Sequence, residues 1–169
     1  MKEDYLLSIL SGDRKGLLSI ITSMLNRRGI EMESIHAGRT DKHDEVLITI
    51  EVIAELSDIK NMSAKIGNII EVQHVEYVQI KDAWYQKVAL YAIEKNGYNS
   101  ETYRKLQKFG AVMVGYYRNE VIIQKTRRDE DLQHLYNELD GPYLKGFSKS
   151  AAILLKPLEE QSSVISMAA

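Results

Sequence analysis

Apolar positions along the chain change period in a regular order, and that order predicts a fold. Tyr5 to Leu10 is almost continuously apolar, as in a strand that is covered on both faces or paired centrally. Leu17, Ile20, Ile21, Met24 and Leu25 then recur at helical spacing, and Gly29 supplies a stop just past the last turn. Met32 to Gly38 reads as a second strand, followed by the polar turn Asp41-Lys42-His43-Asp44. Glu45 to Val52 alternates, with Val46, Ile48, Ile50 and Val52 on one face. A second helix has Ile59, Met62, Ile66 and Ile69 or Ile70 on its apolar stripe, with Ser57 or Asp58 available as cap. Val72 to Ile80 closes the unit in the order β-α-β-β-α-β.

The second half repeats this order. Trp84 to Ile93 is strand-like, with Val88, Leu90 and Ala92 on one face. Asn99 or Ser100 can cap a helix whose stripe is Tyr103, Leu106 and Phe109 or Ala111, ending at Gly110. Ala111–Tyr117 and Glu120–Lys125 predict a hairpin turning at Arg118-Asn119. Asp129-Glu130-Asp131 suits the start of a helix, where the dipole favours negative charge, and Leu132, Leu135, Tyr136 and Leu139 continue it to Gly141-Pro142. Leu144 to Leu155 is read as the last strand. The expected fold class is α+β, with two tandem ferredoxin-like units over 1–80 and 81–157 and a frayed tail over 158–169. Each unit is expected to carry an antiparallel sheet with helices on one face, leaving the other face or an edge in need of cover. Side by side, two such units would make a continuous eight-stranded sheet, and a homodimer is the economical way to supply the cover.

Composition narrows the function. The 169 residues are 44% hydrophobic and 27% charged, those of an ordinary globular chain. Residues 1–80 hold 9 Lys/Arg and 13 Asp/Glu (net −4), and 81–169 hold 13 and 11 (net +2), giving −2 overall and no electrostatic footprint for nucleic acid. The absence of cysteine excludes a disulfide framework, a Cys-containing zinc site and thiol chemistry, and fits a reducing interior. Met1-Lys2-Glu3-Asp4 lacks the apolar core of an export signal, and no apolar run approaches the ~20 residues of a membrane span. A cytoplasmic protein is therefore expected. Nucleotide, P-loop, zincin and nucleophile-elbow motifs are absent, and His36, His43, His74 and His134 are unclustered. No catalytic residue and no metal ligand is assigned.

Two stretches carry candidate chemistry: Gly12-Asp13-Arg14-Lys15-Gly16, then Asn26 to Ile35. The first is a tight strand-to-helix turn whose backbone N–H groups can meet a carboxylate or phosphate at the helix N-terminus. Asp13 can equally serve only as helix cap, Gly16 and Gly29 only as punctuation, and Arg27-Arg28 only as cations in a last helical turn. With these residues the N-terminal unit resembles an ACT domain, and the whole chain resembles the small regulatory subunit of acetolactate synthase. The matching stretches are Asp13-Arg14-Lys15-Gly16-Leu17-Leu18, Arg27-Arg28-Gly29-Ile30-Glu31-Met32-Glu33-Ser34-Ile35, Thr40-Asp41, Thr49-Ile50 and Phe147-Ser148-Lys149-Ser150.

That resemblance implies an effector site comprising Asp13, Lys15, Gly16, Leu17, Leu18, Glu31 and Met32 at an interface between ACT-like domains of a homodimer. It implies a catalytic large subunit as partner, which would carry thiamine diphosphate, Mg and FAD while this chain binds no cofactor. It also implies activation of that partner and feedback control by a branched-chain amino acid. The family pattern has Asn at two positions where this chain has Asp13 and Glu31. An amide both donates and accepts, whereas a carboxylate only accepts, so a weakened or lost valine response, or an altered effector, is expected. An edge strand or the open sheet face of the C-terminal unit is the expected contact with the catalytic chain. The alternative is a free-standing ACT-type amino-acid-binding protein with no enzyme partner.

Overall fold

A computed structural model describes residues 1–154. The tail expected over 158–169, and the ends assigned to the last strand at Leu155 and the second unit at 157, lie outside the described residues. The N-terminal unit comprises β1 (Glu3–Gly12), α1 (Leu17–Arg28), β2 (Glu31–Arg39), β3 (Glu45–Ala54), α2 (Leu56–Gly67) and β4 (Val72–Gln79). The C-terminal unit comprises β5 (Lys87–Glu94), α3 (Ser100–Lys108), β6 (Val112–Tyr117), β7 (Glu120–Arg127), α4 (Asp129–Leu139) and β8 (Leu144–Lys149), with a 3-10 turn at Lys95–Gly97. The strands form two separate antiparallel sheets ordered β2-β3-β1-β4 and β6-β7-β5-β8, the ferredoxin-like pattern twice. Within one chain the eight strands do not join into a single sheet.

Each core lies between a sheet and its helix pair. Tyr5, Leu7 and Ile9 of β1 and Ile48, Ile50 and Val52 of β3 meet Leu17, Ile21 and Leu25 of α1 and Ile59, Met62 and Ile66 of α2. The second core gathers Ala89, Tyr91, Ile93, Val121 and Ile123 beneath Leu106, Leu132 and Leu135. Val88, Leu90 and Ala92 do share a face of β5, but it is the open one, since Ala89, Tyr91 and Ile93 point to the helices. The buried Tyr91 hydroxyl donates to the Leu132 carbonyl at 2.7 Å, and burial pushes its pKa up to about 12.

Local chemistry accounts for two of the helix ends. Asn99 caps α3, its Oδ1 accepting from the amides of Glu101 and Thr102, both at 3.0 Å. Gly29 ends α1 in the left-handed region (φ 73°), and the amides of Gly29 and Ile30 return to Asn26 and Leu25 carbonyls. Neither Ser57 nor Asp58 caps α2. Glu55 holds that position without a side-chain bond, and Asp58 lies in the first turn, bonded to Arg28. The last strand stops at Lys149, and among the described residues beyond it an isolated bridge joins Gln86 and Ile153. β5 starts at Lys87, not Trp84, because residues 80–86 form the connection between the units. Gly97 packs directly against Tyr143, where an added Cβ would fall inside the van der Waals shell of the Tyr143 Cβ and Cγ. Those atoms cannot swing away as a side-chain tip can. Gly97→Ala is therefore expected to lower stability by about 3 kcal/mol, and a thermal melt matching the parent's would contradict that packing.

Candidate functional site

The β1–α1 loop is built around Gly16, which occupies the N-cap position of α1 with φ 85°. A Cβ is strained at that angle, so the turn needs glycine there. Among the described residues no side chain caps α1, and Asp13 does not act as the alternative cap. Its Oδ2 instead accepts from Arg39 Nε at 3.1 Å and Nη2 at 2.8 Å. Arg14 pairs with Glu71 across the same loop. The protein itself uses part of the expected amide cradle: Gly12 donates to Glu71, Asp13 to Asp44, Arg14 to Gly12 and Leu17 to Arg14 carbonyls. The amides of Lys15 and Gly16 in the loop, and of Leu18 and Ser19 in the first turn of α1, have no backbone acceptor among the described residues. Ser11, fully buried just before the loop, has a hydroxyl with no hydrogen-bond partner among the described residues.

The remaining candidate residues divide by position. Leu17 is buried in the core, while Leu18 is partly exposed on the first turn of α1 beside exposed Lys15. Met32 packs against the core from β2, and Glu31 is exposed at the start of that strand. Asp13 and Glu31 do not come together within one chain. Glu31 stands opposite Ile53, and Gly12 stands opposite Glu45, eight residues away along β3. At ~3.4 Å per residue the two ends lie roughly 27 Å apart. The loop end of the sheet thus holds Asp13, Arg39 and Gly16, and the far end holds Glu31 and Met32.

A second polar cluster joins the two units. Glu51 and Lys87 side chains are each only 4% exposed, and Glu51 Oε2 lies 2.6 Å from Lys87 Nζ. Glu51 Oε1 accepts from the Ala152 amide at 3.1 Å and from the Ser34 hydroxyl. Lys87 Nζ also meets Asp129 Oδ2 at 2.5 Å, and Asp129 Oδ1 pairs with Lys149. Burial opposes charge on Lys87, but the bonds to Asp129 and Glu51 outweigh it and hold its pKa above the ordinary lysine value. Burial likewise opposes charge on Asp129, and Lys149 and Lys87 together hold it below the ordinary carboxylate value. Leu6, Ala83, Tyr85 and Ala152 pack beside the cluster, and Arg128 donates to the Ile80 carbonyl at 2.6 Å over the Tyr85 ring. The sequence signal for this cluster is Glu51 inside the apolar run from Val46 to Ala54.

No family model matches the chain. It is 22% identical over 150 residues to the acetolactate synthase small subunit of Mycolicibacterium smegmatis, covering 88% of each chain. It is 27% identical over 131 residues to that of Buchnera aphidicola, covering 75% of this chain and 80% of the relative. The chain is similar to acetolactate synthase small subunits over most of its length. The fold agrees: the crystal structure of the acetolactate synthase small subunit from Thermotoga maritima superposes with a TM-score of 0.79, at 17% identity, over 89% of this chain and 95% of that one. These relatives are small subunits of an enzyme and not its catalytic chain. Among the described residues no group of three or more His, Asp or Glu is placed to hold a metal, and no helix is long and apolar enough to cross a membrane.

Proposed function

We propose that this chain is the regulatory small subunit of an acetolactate synthase, activating a catalytic large subunit and carrying an amino-acid effector site between two copies of its N-terminal unit. The similarity to small subunits over nearly the whole chain is the observation that carries this reading. The thiamine diphosphate, Mg and FAD belong to the catalytic partner, and this chain contributes only binding and control.

In this reading a second copy completes the effector site. β2 is an edge strand of nine residues whose outer N–H and C=O groups have no strand beside them among the described residues. Pairing it antiparallel with β2 of a second copy, about a twofold axis near Ile35, brings Glu31 of one copy beside Arg39 of the other. Asp13, held by Arg39, arrives with it. The two halves of the motif, 27 Å apart in one chain by the ~3.4 Å strand rise, then line one cleft. Ile35, 39% exposed at the centre of the strand, would be covered by the same pairing. For the catalytic partner the candidate surface is the open face of the C-terminal sheet. Leu90 and Val112 flank Gln124 there, and both are exposed, with Tyr117 exposed at the hairpin end.

An effector bound more tightly in one arrangement of the complex shifts the population toward that arrangement, in proportion to its differential affinity. The deciding experiment is acetolactate formation by the source organism's catalytic subunit with and without this chain. Several-fold activation, with a complex on gel filtration, is expected. Unchanged turnover with no complex would leave a stand-alone amino-acid-binding module as the better account.

A further inference from the structure

We infer that Glu51 is a joint that ties the effector strand β2 to the C-terminal unit, so that a change at one is felt at the other. Ser34 lies on β2 just past a bulge that follows Met32, at the end of the strand bearing Glu31. Bulges re-aim side chains, and here the residue beyond it bonds a buried carboxylate. Glu51 is that carboxylate, and it stands on the sheet face away from α1 and α2. Its other bonds all run to the C-terminal half of the chain: Lys87 at the start of β5 at 2.6 Å, and the amide of Ala152 at 3.1 Å. Lys87 passes the connection to Asp129, the first residue of α4, and Asp129 to Lys149, the last residue of β8. Four elements from both units thus meet through one alternating chain of charges, carboxylate, ammonium, carboxylate, ammonium, and β2 joins it through the neutral Ser34 hydroxyl.

The physical character of the cluster favours coupling over mere cohesion. Apolar packing at the connection tolerates small sliding, because dispersion is weakly directional. A buried carboxylate does not tolerate it, because a lost donor leaves charge without solvation. Glu51 therefore holds Ser34, Lys87 and Ala152 in one mutual arrangement. Displacing β2 withdraws the Ser34 donor and loosens the grip on Lys87 and on the segment after β8. Whether regulation uses this joint rests on the small-subunit reading, but the joint itself does not.

Hydrogen–deuterium exchange on the intact chain tests it, comparing the parent with Ser34→Ala and Asp129→Asn. Asp129→Asn keeps the size of the side chain while weakening the far side of the joint, and it supplies the exchange pattern of a loosened connection. Ser34→Ala removes one neutral donor in the N-terminal unit and should leave both cores folded. In Ser34→Ala we expect amides of the first turn of α4, of β8 and around Ala152 to exchange at least roughly fivefold faster, in the pattern seen with Asp129→Asn. A change confined to β2 and β3, or spread evenly over α1 and α2 as well, overturns the inference. No catalytic partner or effector is present in this measurement, so its outcome is independent of the activation assay.

Discussion

Lys87→Met is expected to be among the most destabilising single substitutions in the chain, lowering unfolding free energy by about 3–5 kcal/mol. Methionine fits the space of the lysine stem, so little of the loss comes from packing. The loss comes from Glu51, which stays buried with a negative charge and only the Ser34 hydroxyl and Ala152 amide to solvate it. Asp129 loses one of its two ammonium partners but retains Lys149 and is 29% exposed, so its share is smaller. Removing both charges should recover much of the stability, because an apolar pair avoids the desolvation cost that an ion pair must offset. Urea titrations of Lys87→Met, Glu51→Leu and the double variant separate these contributions. A double variant as unstable as the sum of the singles would show that the pair is not acting as a unit.

The periodic elements were legible because each rests on local chemistry. The helical stripe of Leu17, Ile21 and Leu25 and the glycine after Arg28 define α1 from within. The Asn99 cap and the acidic start of α4 are likewise contained in a few residues. What failed depends on distant partners. Trp84 lies in an apolar-looking run, yet the residues around it serve the connection and leave it 64% exposed. The inward face of β5 was decided by where α3 and α4 sit, since both of its faces carry apolar residues. The Glu51 joint links residues 36 and 101 positions apart, which no window along the chain can register. The two candidate acids are separated in a way that sequence spacing does not show. Asp13 and Glu31 are 18 positions apart in sequence, but α1 runs back between two parallel strands and places them at opposite ends of the sheet.

That placement sharpens the second large expectation, which rests on the proposed effector site. Asp13→Asn together with Glu31→Asn should tighten valine binding by at least about tenfold, most of it from Glu31→Asn. At an effective dielectric of ~20, a carboxylate ~4 Å from the ligand carboxylate costs on the order of 4 kcal/mol before screening. Asp13 should contribute only a fraction of that, because Arg39 already holds its Oδ2 at 2.8 Å. The Arg39 side chain is 80% exposed, so the pairing is itself screened by salt and the compensation is incomplete. No such partner stands at Glu31 in the proposed cleft except Arg39 of the other copy, which Asp13 shares. Replacing both acids also frees that guanidinium to meet the ligand carboxylate, with the amides of Lys15 and Gly16 beside it. Isothermal titration at two salt concentrations reads both parts. The parent's affinity should rise with salt, as repulsion is screened, and the double variant's should fall, as an attraction is. Tight valine binding by the parent that weakens with salt would show that the two carboxylates help to hold the ligand.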